Sequence, residues 1–242
     1  MKKLILIQCA MEVEAEKIIN KLENKTEINI QGYKFYEGNI YDTKIIVSLS
    51  KVGLIHTSAS LSLAIEKYKP DIILNMGISG ATDKKLHTKD IIIAESIINI
   101  NSYITPYKKE TEGSNPNEWN LLTFLSGEED RLIEEKADKK LLETTKKILK
   151  NEKVTTGKIG SGDVWNREVD RITYLNKKYD ILCEDMESIA TYTIANQNNI
   201  PVISIKMISD NILTGEEYNR EVGIELQKIM IKYLEELLKR YQ

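Results

Sequence analysis

The chain of 242 residues has few of the features that would place it in a specialised class of protein. It has two cysteines, Cys9 and Cys183, which are too few for a disulfide framework and predict a reduced, cytoplasmic protein. No apolar run approaches the roughly 20 residues that a membrane span needs. The net charge is -3 with both signs interspersed, so no basic surface for nucleic acid or for a membrane is expected.

The sequence also lacks the signatures of a metal site, of an organic cofactor site and of a signal peptide. His56 and His87 lie far apart without the spacing of metal ligands, so neither a metal site nor an organic cofactor is expected. A signal peptide is also a poor fit, because the apolar run that starts at Leu4 breaks at Gln8 and Glu12 follows. A buried first strand is the better interpretation. Only five of the 34 basic residues are arginine, and the first of them is Arg131.

The sequence alternates between runs that suit strands and segments that suit helices, which is typical of an α/β protein. It contains no linker and no repeat, so residues 1–242 are interpreted as one domain. Residues 101–130 are polar and irregular, which usually indicates a functional or interface segment. The predicted strands are Leu4–Cys9, Ile28–Ile30, Tyr33–Ile40, Lys44–Leu49, Ile72–Met76, Asp90–Ile98, Val154–Ile159, Ile181–Cys183 and Val202–Ile208. The predicted helices are Glu12–Leu22, His56–Tyr68, Lys139–Lys150, Met186–Asn198 and Arg220–Arg240.

Three acidic residues each follow an apolar run that is predicted to form a strand. Glu14, Glu187 and Asp210 each come just after an apolar run. The carboxyl ends of parallel strands face one crevice, where ligands bind, so these three carboxyls are expected to converge there. Burying three carboxyls together is costly unless they perform chemistry or hold a polar ligand. This arrangement favours a neutral, hydroxyl-rich substrate whose leaving group needs a proton.

Two glycine-bearing segments follow predicted strands. Neither Asn75–Ala81 nor Gly160–Trp165 matches a Walker loop or a dinucleotide-binding motif. Each could be a plain turn, or it could let the backbone approach a flat ligand closely. Trp165 is open to two interpretations, an anchor in the core or a platform on which an aromatic base stacks.

Two acidic motifs carry similar alternatives. Glu184–Ser188 places three acids at a strand-to-helix junction, where capping and the helix dipole account for one or two of them. A carboxylate there can also accept from a vicinal diol, with Met186 packed against the sugar. Asp210 could cap a turn together with Ser209. If it is partly desolvated instead, its pKa rises and it can donate a proton near neutral pH.

Taken in order, these motifs resemble the nucleoside phosphorylase type I superfamily over nearly the whole chain. Within that superfamily, the chain is similar to the 5′-methylthioadenosine/S-adenosylhomocysteine nucleosidases. The resemblance implies a single-domain three-layer α/β/α fold with a central mixed twisted sheet. The motifs that carry it are Ala10–Glu14, Gly77–Gly80, Ser161–Asp163, Asp185–Glu187 and Ile208–Asp210.

The resemblance also implies roles for individual residues. In catalysis, Glu14 would activate water, and Asp210, held by Ser209, would donate a proton to N7 of adenine. Binding of the ribose would fall to Glu187 and Met186. Trp165 would sandwich the purine, and the backbone of Asn166 would read the base edge. Ile78, Ser79 and Gly80 would complete the substrate-binding set.

The chain departs from these nucleosidases at three positions. Ile78 replaces a small hydroxyl residue, Lys206 replaces an arginine, and Trp165 is larger than the usual phenylalanine. The alternatives are therefore phosphorolysis of a purine nucleoside, hydrolysis of a futalosine-like or other purine nucleoside, and a catalytically weak nucleoside-binding protein. The scarcity of arginine favours water over phosphate as the nucleophile. The resemblance further implies a homodimer in which residues 101–130 of one subunit close the pocket of the other.

Overall fold

The computed structural model describes residues 3–122 and 133–241. In these two ranges, strands alternate with α-helices, and two short 3-10 turns occur at Glu12–Glu14 and Pro116–Glu118. The strands are β1 (Ile5–Cys9), β2 (Glu23–Ile30), β3 (Tyr33–Ile40), β4 (Thr43–Leu49), β5 (Ile72–Ala81), β6 (Ile91–Asn99), β7 (Tyr103–Ile104), β8 (Asn120–Leu121), β9 (Glu134–Lys136), β10 (Val154–Ser161), β11 (Ile181–Asp185) and β12 (Val202–Asp210). The helices are α1 (Glu16–Lys21), α2 (Leu54–Tyr68), α3 (Lys139–Ile148), α4 (Val169–Tyr179), α5 (Ser188–Gln197) and α6 (Val222–Lys239).

Ten of these strands form one mixed sheet in the order β11-β10-β6-β12-β5-β1-β4-β3-β2, with β9 alongside β6. The α/β class with a central mixed sheet is therefore confirmed. One feature was not expected from the sequence. Strand β11 also pairs with β5 in the antiparallel sense, where Glu184 is opposite Gly80. This pairing closes β5, β12, β6, β10 and β11 into a ring, and it brings the ends of β5, β11 and β12 together.

Helices cover both faces of the sheet because the buried strands are apolar on both sides. On β1, Ile5 and Ile7 pack into a core shared with α1, α3 and α6. The side chain of Leu6 faces the other way, into a core shared with α2 and α5. A smaller cluster holds α4 against the start of β11, through Leu175, Tyr179 and Ile181.

Most predicted boundaries agree with the structure to within about two residues, but two predictions near the N-terminus need correction. The predicted helix Glu12–Leu22 is a 3-10 turn followed by the short helix α1, because Ala15 has a non-helical φ of -127°. Strand β2 begins at Glu23 rather than Ile28. Its additional residues are polar and exposed, since this edge strand pairs with β3 alone.

The predictions for the glycine-bearing segments also need correction. Residues 77–80 were predicted to form a loop, but they continue β5, since β12 pairs with them from Gly77 to Gly80. In the same way β10 extends to Ser161 and β11 to Asp185.

Helix α4 was not predicted. The irregular segment contains β7 and β8 between residues 101 and 122, and its remainder, residues 123–130, lies outside the described residues.

Candidate active site

A cavity of about 240 Å³ lies where β5, β11 and β12 end, beside the turn that follows β1. Both strand ends and loops contribute to its wall, and its lining includes five carboxyl groups. The lining residues are Ala10, Met11, Glu14, Val52, Ile78, Ser79, Gly80, Val164, Trp165, Glu184, Asp185, Met186, Glu187, Ser209, Asp210 and Tyr218.

Three backbone amides hold the carboxylate of Glu14. Its Oε2 accepts the N–H groups of Ala10 and Met11, each at 3.0 Å. Its Oε1 accepts the N–H of Ile78 on β5, also at 3.0 Å. Burial raises the pKa of Glu14, while Lys206 and these amides act in the opposite direction. The result is a buried carboxyl with a defined orientation, as a general base requires.

Asp210 ends β12 and is partly exposed to the cavity. Its Oδ1 accepts the hydroxyl of Ser209 at 2.6 Å. Its Oδ2 lies against Gly80, where an added Cβ would be 3.3 Å away. Burial raises the pKa of Asp210, and the Ser209 hydroxyl and Arg167 oppose that effect. A carboxyl with a raised pKa keeps its proton to higher pH and can act as a general acid.

Glu187 lies at the start of α5, and both it and the preceding Met186 line the cavity. The Oε1 atom of Glu187 accepts the N–H of Gly53 at 3.0 Å, at the N-terminus of α2. The next amide of that helix, of Leu54, donates to Asp163 at 2.7 Å. Burial and the neighbouring charge of Asp185 raise the pKa of Glu187. Asp163 therefore helps to hold α2 against the site.

Lys206 supplies the positive charge beneath these acids. Its Nζ is 2.7 Å from Oδ2 of Asp185, and both side chains are 1% exposed. Burial alone would lower the pKa of Lys206, but Asp185, Glu187 and Glu14 raise it. Burial would likewise raise the pKa of Asp185, but Lys206 holds it below its usual range. The ammonium group of Lys206 therefore lies close to Glu14 and Glu187 as well, and both of these carboxyls line the cavity.

Glu184 lines the same cavity and is 6% exposed. Its two oxygens accept from one residue: the backbone N–H of Asn166 donates to Oε1 at 3.0 Å, and the side-chain amide donates to Oε2 at 2.7 Å. Burial raises the pKa of Glu184 to about 7, although these hydrogen bonds act to lower it. The backbone amide that the resemblance assigns to the base edge is thus engaged with a carboxyl.

Two aromatic rings form the outer wall. Trp165 and Tyr218 meet edge to face, with their centroids 5.2 Å apart. Trp165 is 53% exposed, so it is not a core anchor, and its ring is available to a ligand. On the far side of this pair lies a second cavity of about 460 Å³, whose lining includes Asn166, Arg167 and Asp210.

The structure brings nine of the ten sequence-predicted site residues to the main cavity, and the tenth, Asn166, lines the adjoining one. Sequence reasoning assigned no role to Glu184, Asp185 or Gly53. It noted Lys206 as a departure without finding its partner. The sequence did indicate that Lys206 has a partner, since a lysine inside an apolar strand needs a buried group to pair with.

Among the described residues, no group of three or more histidine, cysteine, aspartate or glutamate side chains is placed to hold a metal ion. The described helices include none that is both long and apolar enough to cross a membrane.

Comparison with known proteins gives matches over nearly the whole chain. The family model of the phosphorylase superfamily matches residues 4–241. A curated relative, the 5′-methylthioadenosine/S-adenosylhomocysteine nucleosidase of Staphylococcus aureus (strain bovine RF122 / ET3-1), is 28% identical over 210 residues, which cover 86% of each chain.

Solved structures of similar fold include the Campylobacter jejuni 5′-methylthioadenosine/S-adenosylhomocysteine nucleosidase. It has a TM-score of 0.82 and 21% identity, and the match covers 98% of this chain and 99% of that one. The S-adenosylhomocysteine nucleosidase of Streptococcus pyogenes, in complex with 5-methylthiotubericidin, has a TM-score of 0.81 and 20% identity, with 98% of both chains covered. At these identities, the two structures show likeness of fold.

Proposed function

This chain belongs to the phosphorylase superfamily, and we propose that within it the chain is an enzyme that hydrolyses the N-glycosidic bond of a 5′-substituted adenosine. The substrate is 5′-methylthioadenosine, S-adenosylhomocysteine or both, and the products are adenine and the thioribose sugar. The names of the relatives support this substrate class. The geometry supports the reaction through the placement of Glu14 and Asp210 in one cavity.

The placement of these two carboxyls along β5 is the observation that carries the proposal. Glu14 contacts the strand at Gly77, and Asp210 contacts it at Gly80. The two points of contact are three residues apart, or about 10 Å along the strand, and both carboxyls line the same cavity. Inverting glycoside hydrolases likewise place an acid and a base on either side of the bond that breaks, roughly 6.5–9.5 Å apart, so that water can enter.

The chemistry follows from that arrangement. Asp210 donates its proton to N7 of the base as the bond between C1′ and N9 breaks, and the electron pair of that bond stays on the purine. Positive charge develops on the sugar, and the nearby carboxylates stabilise it. Glu14 takes a proton from water as the water oxygen bonds to C1′. The raised pKa of Asp210 has a direct use here, because an acid must keep its proton until the base accepts it.

Glu187 and Met186 hold the ribose in this proposal. Glu187 accepts from the sugar hydroxyls and is itself oriented by the Gly53 amide. Val52 and Tyr218 give the cavity an apolar rim that suits a thioether at the 5′ position. Trp165 offers an exposed face on which the purine stacks, and such stacking contributes about 1–3 kcal/mol.

The placement of cationic side chains outside the main cavity's lining favours water over phosphate as the nucleophile. A phosphorylase holds phosphate with arginine or other cationic donors, whereas no lysine or arginine is part of the main cavity's lining among the described residues. Lys206 is buried against Asp185. The two candidates nearest in sequence do not line the cavity either, since His56 bonds to Tyr33 and Lys51 lies over the ring of Tyr33.

One experiment separates the candidate reactions. The protein is incubated with 5′-methylthioadenosine, S-adenosylhomocysteine, adenosine and inosine in phosphate-free buffer, and the free base is quantified. We expect adenine from the first two substrates without phosphate. A strict requirement for phosphate would make the protein a phosphorylase. Tight binding of these nucleosides without base release would make it a binding protein.

We further propose that the protein works in the cytoplasm as a homodimer. Both cysteines are buried free thiols, which suits a reducing compartment. Apolar side chains are exposed near the cavity and on the irregular segment, with Ile55 77% and Tyr107 89% exposed. A second copy would cover them. Sedimentation equilibrium at micromolar concentration tests this: a monomer would contradict it, and Tyr107→Ser is expected to weaken the dimer.

A further inference from the structure

Glu184 is a buried carboxyl of the main cavity, and the proposed mechanism gives it no role. Its backbone lies between two other strands, paired with Gly160 of β10 and with Gly80 of β5. The residue is 6% exposed. Because it belongs to a strand that is hydrogen-bonded on both sides, its carboxyl has a well-defined position, which is what a residue that orients other groups needs.

The residue that Glu184 holds belongs to the segment between β10 and α4. Residues 162–168 of this segment form neither helix nor strand. Both oxygens of Glu184 accept from Asn166 in this segment, Oε1 from the backbone N–H at 3.0 Å and Oε2 from the side-chain amide at 2.7 Å. One carboxyl thus fixes the backbone and the side chain of Asn166 together.

Asn166 lies between two residues whose side chains contact each other. The guanidinium group of Arg167 lies over the ring of Trp165, 5.8 Å from its centroid. The N–H of Asn166 belongs to the peptide group that joins it to Trp165. This group is planar, so the hydrogen bond to Glu184 also fixes its plane. The direction in which the Trp165 ring leaves the backbone therefore depends on Glu184.

From these contacts we propose that Glu184 is a positioning residue for base stacking: by holding Asn166, it keeps the ring of Trp165 in the orientation on which the leaving purine stacks. The inference rests on the proposed function, because it concerns the base subsite of the same hydrolysis. Glu184 acts through Asn166 and Trp165, so it has no catalytic role here.

The orientation of Trp165 matters because the ring has few other restraints. Trp165 is 53% exposed, and Tyr218, which meets it edge to face, is itself 44% exposed. Aromatic rings stack well only in certain relative orientations. A platform that is already ordered avoids the entropy cost of ordering it when the ligand binds. Stacking acts on the bound substrate and on the transition state alike, so its loss is expected mainly in KM.

Glu184→Met tests this role, since it removes both acceptors at similar side-chain size. The fold is expected to be kept, because Asn166 is only partly buried and water can accept from its free donors. We expect KM for 5′-methylthioadenosine to rise about tenfold, with kcat changed by less than about threefold. An unchanged KM in Glu184→Met would overturn the proposal.

Glu184→Gln is the conservative variant. Its amide oxygen accepts from the backbone N–H of Asn166, and its amide nitrogen donates to the side-chain oxygen of Asn166 once that amide turns over. Both hydrogen bonds are kept, so KM is expected to stay within about threefold of the wild-type value. A rise in KM as large as that of Glu184→Met would overturn the proposal, because the charge of Glu184 would then matter and not its contact with Asn166.

A double-mutant cycle with Trp165→Ala shows whether Glu184 acts through the ring. We expect Glu184→Met to lower kcat/KM about tenfold in the wild-type background and less than about twofold in the Trp165→Ala background. The same factor in both backgrounds would indicate a structural role independent of Trp165 and would overturn the proposal. Glu143→Met is the matched control, because Glu143 is an exposed residue of α3 that pairs with Lys146. It is expected to leave KM and kcat unchanged.

Measurements without turnover keep this inference separate from the proposed function. The chain has two tryptophans, so the fluorescence of Trp119 is measured in Trp165→Ala and subtracted. In Glu184→Met we expect a lower fluorescence anisotropy of Trp165 and a dissociation constant for free adenine about tenfold higher.

The outcomes for the two proposals then differ. If these changes occur but no nucleoside is hydrolysed, the proposed function fails and the role of Glu184 stands. If hydrolysis proceeds while the anisotropy and the adenine affinity of Glu184→Met equal those of the wild type, the role of Glu184 fails and the proposed function stands. A wild-type protein that neither binds adenine nor hydrolyses a nucleoside would overturn both.

Discussion

The carboxylate of Glu14 occupies the space beside Gly77 that a side chain would otherwise fill. A Cβ added at Gly77 would lie 2.6 Å from Oε1 of Glu14, closer than the two atoms can approach without displacement. The same oxygen accepts the N–H of Ile78, the next residue on β5. The absence of a side chain at one strand position thus fixes where the proposed general base lies.

Gly77→Ala is therefore expected to act through Glu14. The added methyl group displaces the carboxylate from its backbone donors, and we expect kcat to fall about 10–100-fold, because small misplacements of a catalytic group have large effects. Gly80→Ala provides the comparison, since its Cβ would be 3.3 Å from Asp210, and a smaller loss is expected. Steady-state kinetics with 5′-methylthioadenosine measures both. A Gly77→Ala enzyme with full kcat would contradict this role for Glu14.

Asp210→Asn removes the proton that the proposed mechanism delivers to the base. General acid catalysis contributes about 10²–10⁴-fold, so kcat is expected to fall by that factor while the fold is kept. Circular dichroism and thermal unfolding check the fold. Asp180→Asn is the control, because Asp180 has a left-handed φ of 57° at the end of α4, which asparagine tolerates equally well. Unchanged activity in Asp210→Asn would remove this residue from the mechanism.

Lys206→Met is expected to destabilise the protein, since it leaves Asp185 charged and buried without its partner. Breaking a buried pair in this way typically costs about 3–5 kcal/mol of unfolding free energy. Adding Asp185→Asn removes the orphaned charge, so the double variant is expected to recover part of the loss. Urea unfolding measures all three proteins.

Lys228→Met serves as its control, because Lys228 pairs with Glu225 on an exposed helix face. A change of no more than about 0.5 kcal/mol is expected there. If Lys206→Met were as stable as this control, the buried pair would have no stabilising role.

The stability of the protein is expected to fall as pH rises through the titration of Glu184. Its pKa is raised from 4.5 to about 7 in the folded state, with burial as the largest cause. The folded protein then holds a proton that the unfolded chain has released between these two values, and the resulting stabilisation is lost at higher pH. We expect a loss of up to about 3 kcal/mol. Glu14 and Glu187, whose pKa values are also raised, contribute in the same direction.

Urea unfolding at about pH 5 and about pH 8 measures this loss. In Glu184→Gln the difference between the two pH values is expected to shrink, whereas Glu143→Gln keeps the wild-type difference. An equal difference in Glu184→Gln and in the wild type would show that Glu184 does not carry the effect.

Some elements could have been predicted but were not. Helix α4 carries Val169, Ile172, Leu175 and Tyr179 at helical spacing, so its signal was present in the sequence. The length of β2 could not be inferred in this way, because residues 23–27 are polar and exposed. They form a strand only because β3 offers them hydrogen-bond partners.

The order of apolar runs along the chain determined the α/β class and placed Glu14, Glu187 and Asp210 after buried strands. That inference holds because the carboxyl ends of parallel strands meet at one edge of a sheet, whatever the details of packing. The pairing of Glu184 with Gly80, the contact of Lys206 with Asp185 and the continuation of β5 through residues 77–80 were decided by the tertiary structure alone. Each depends on atoms brought together by the closure of the sheet. A sequence pattern indicates which face a residue occupies, but not which distant residue it meets there.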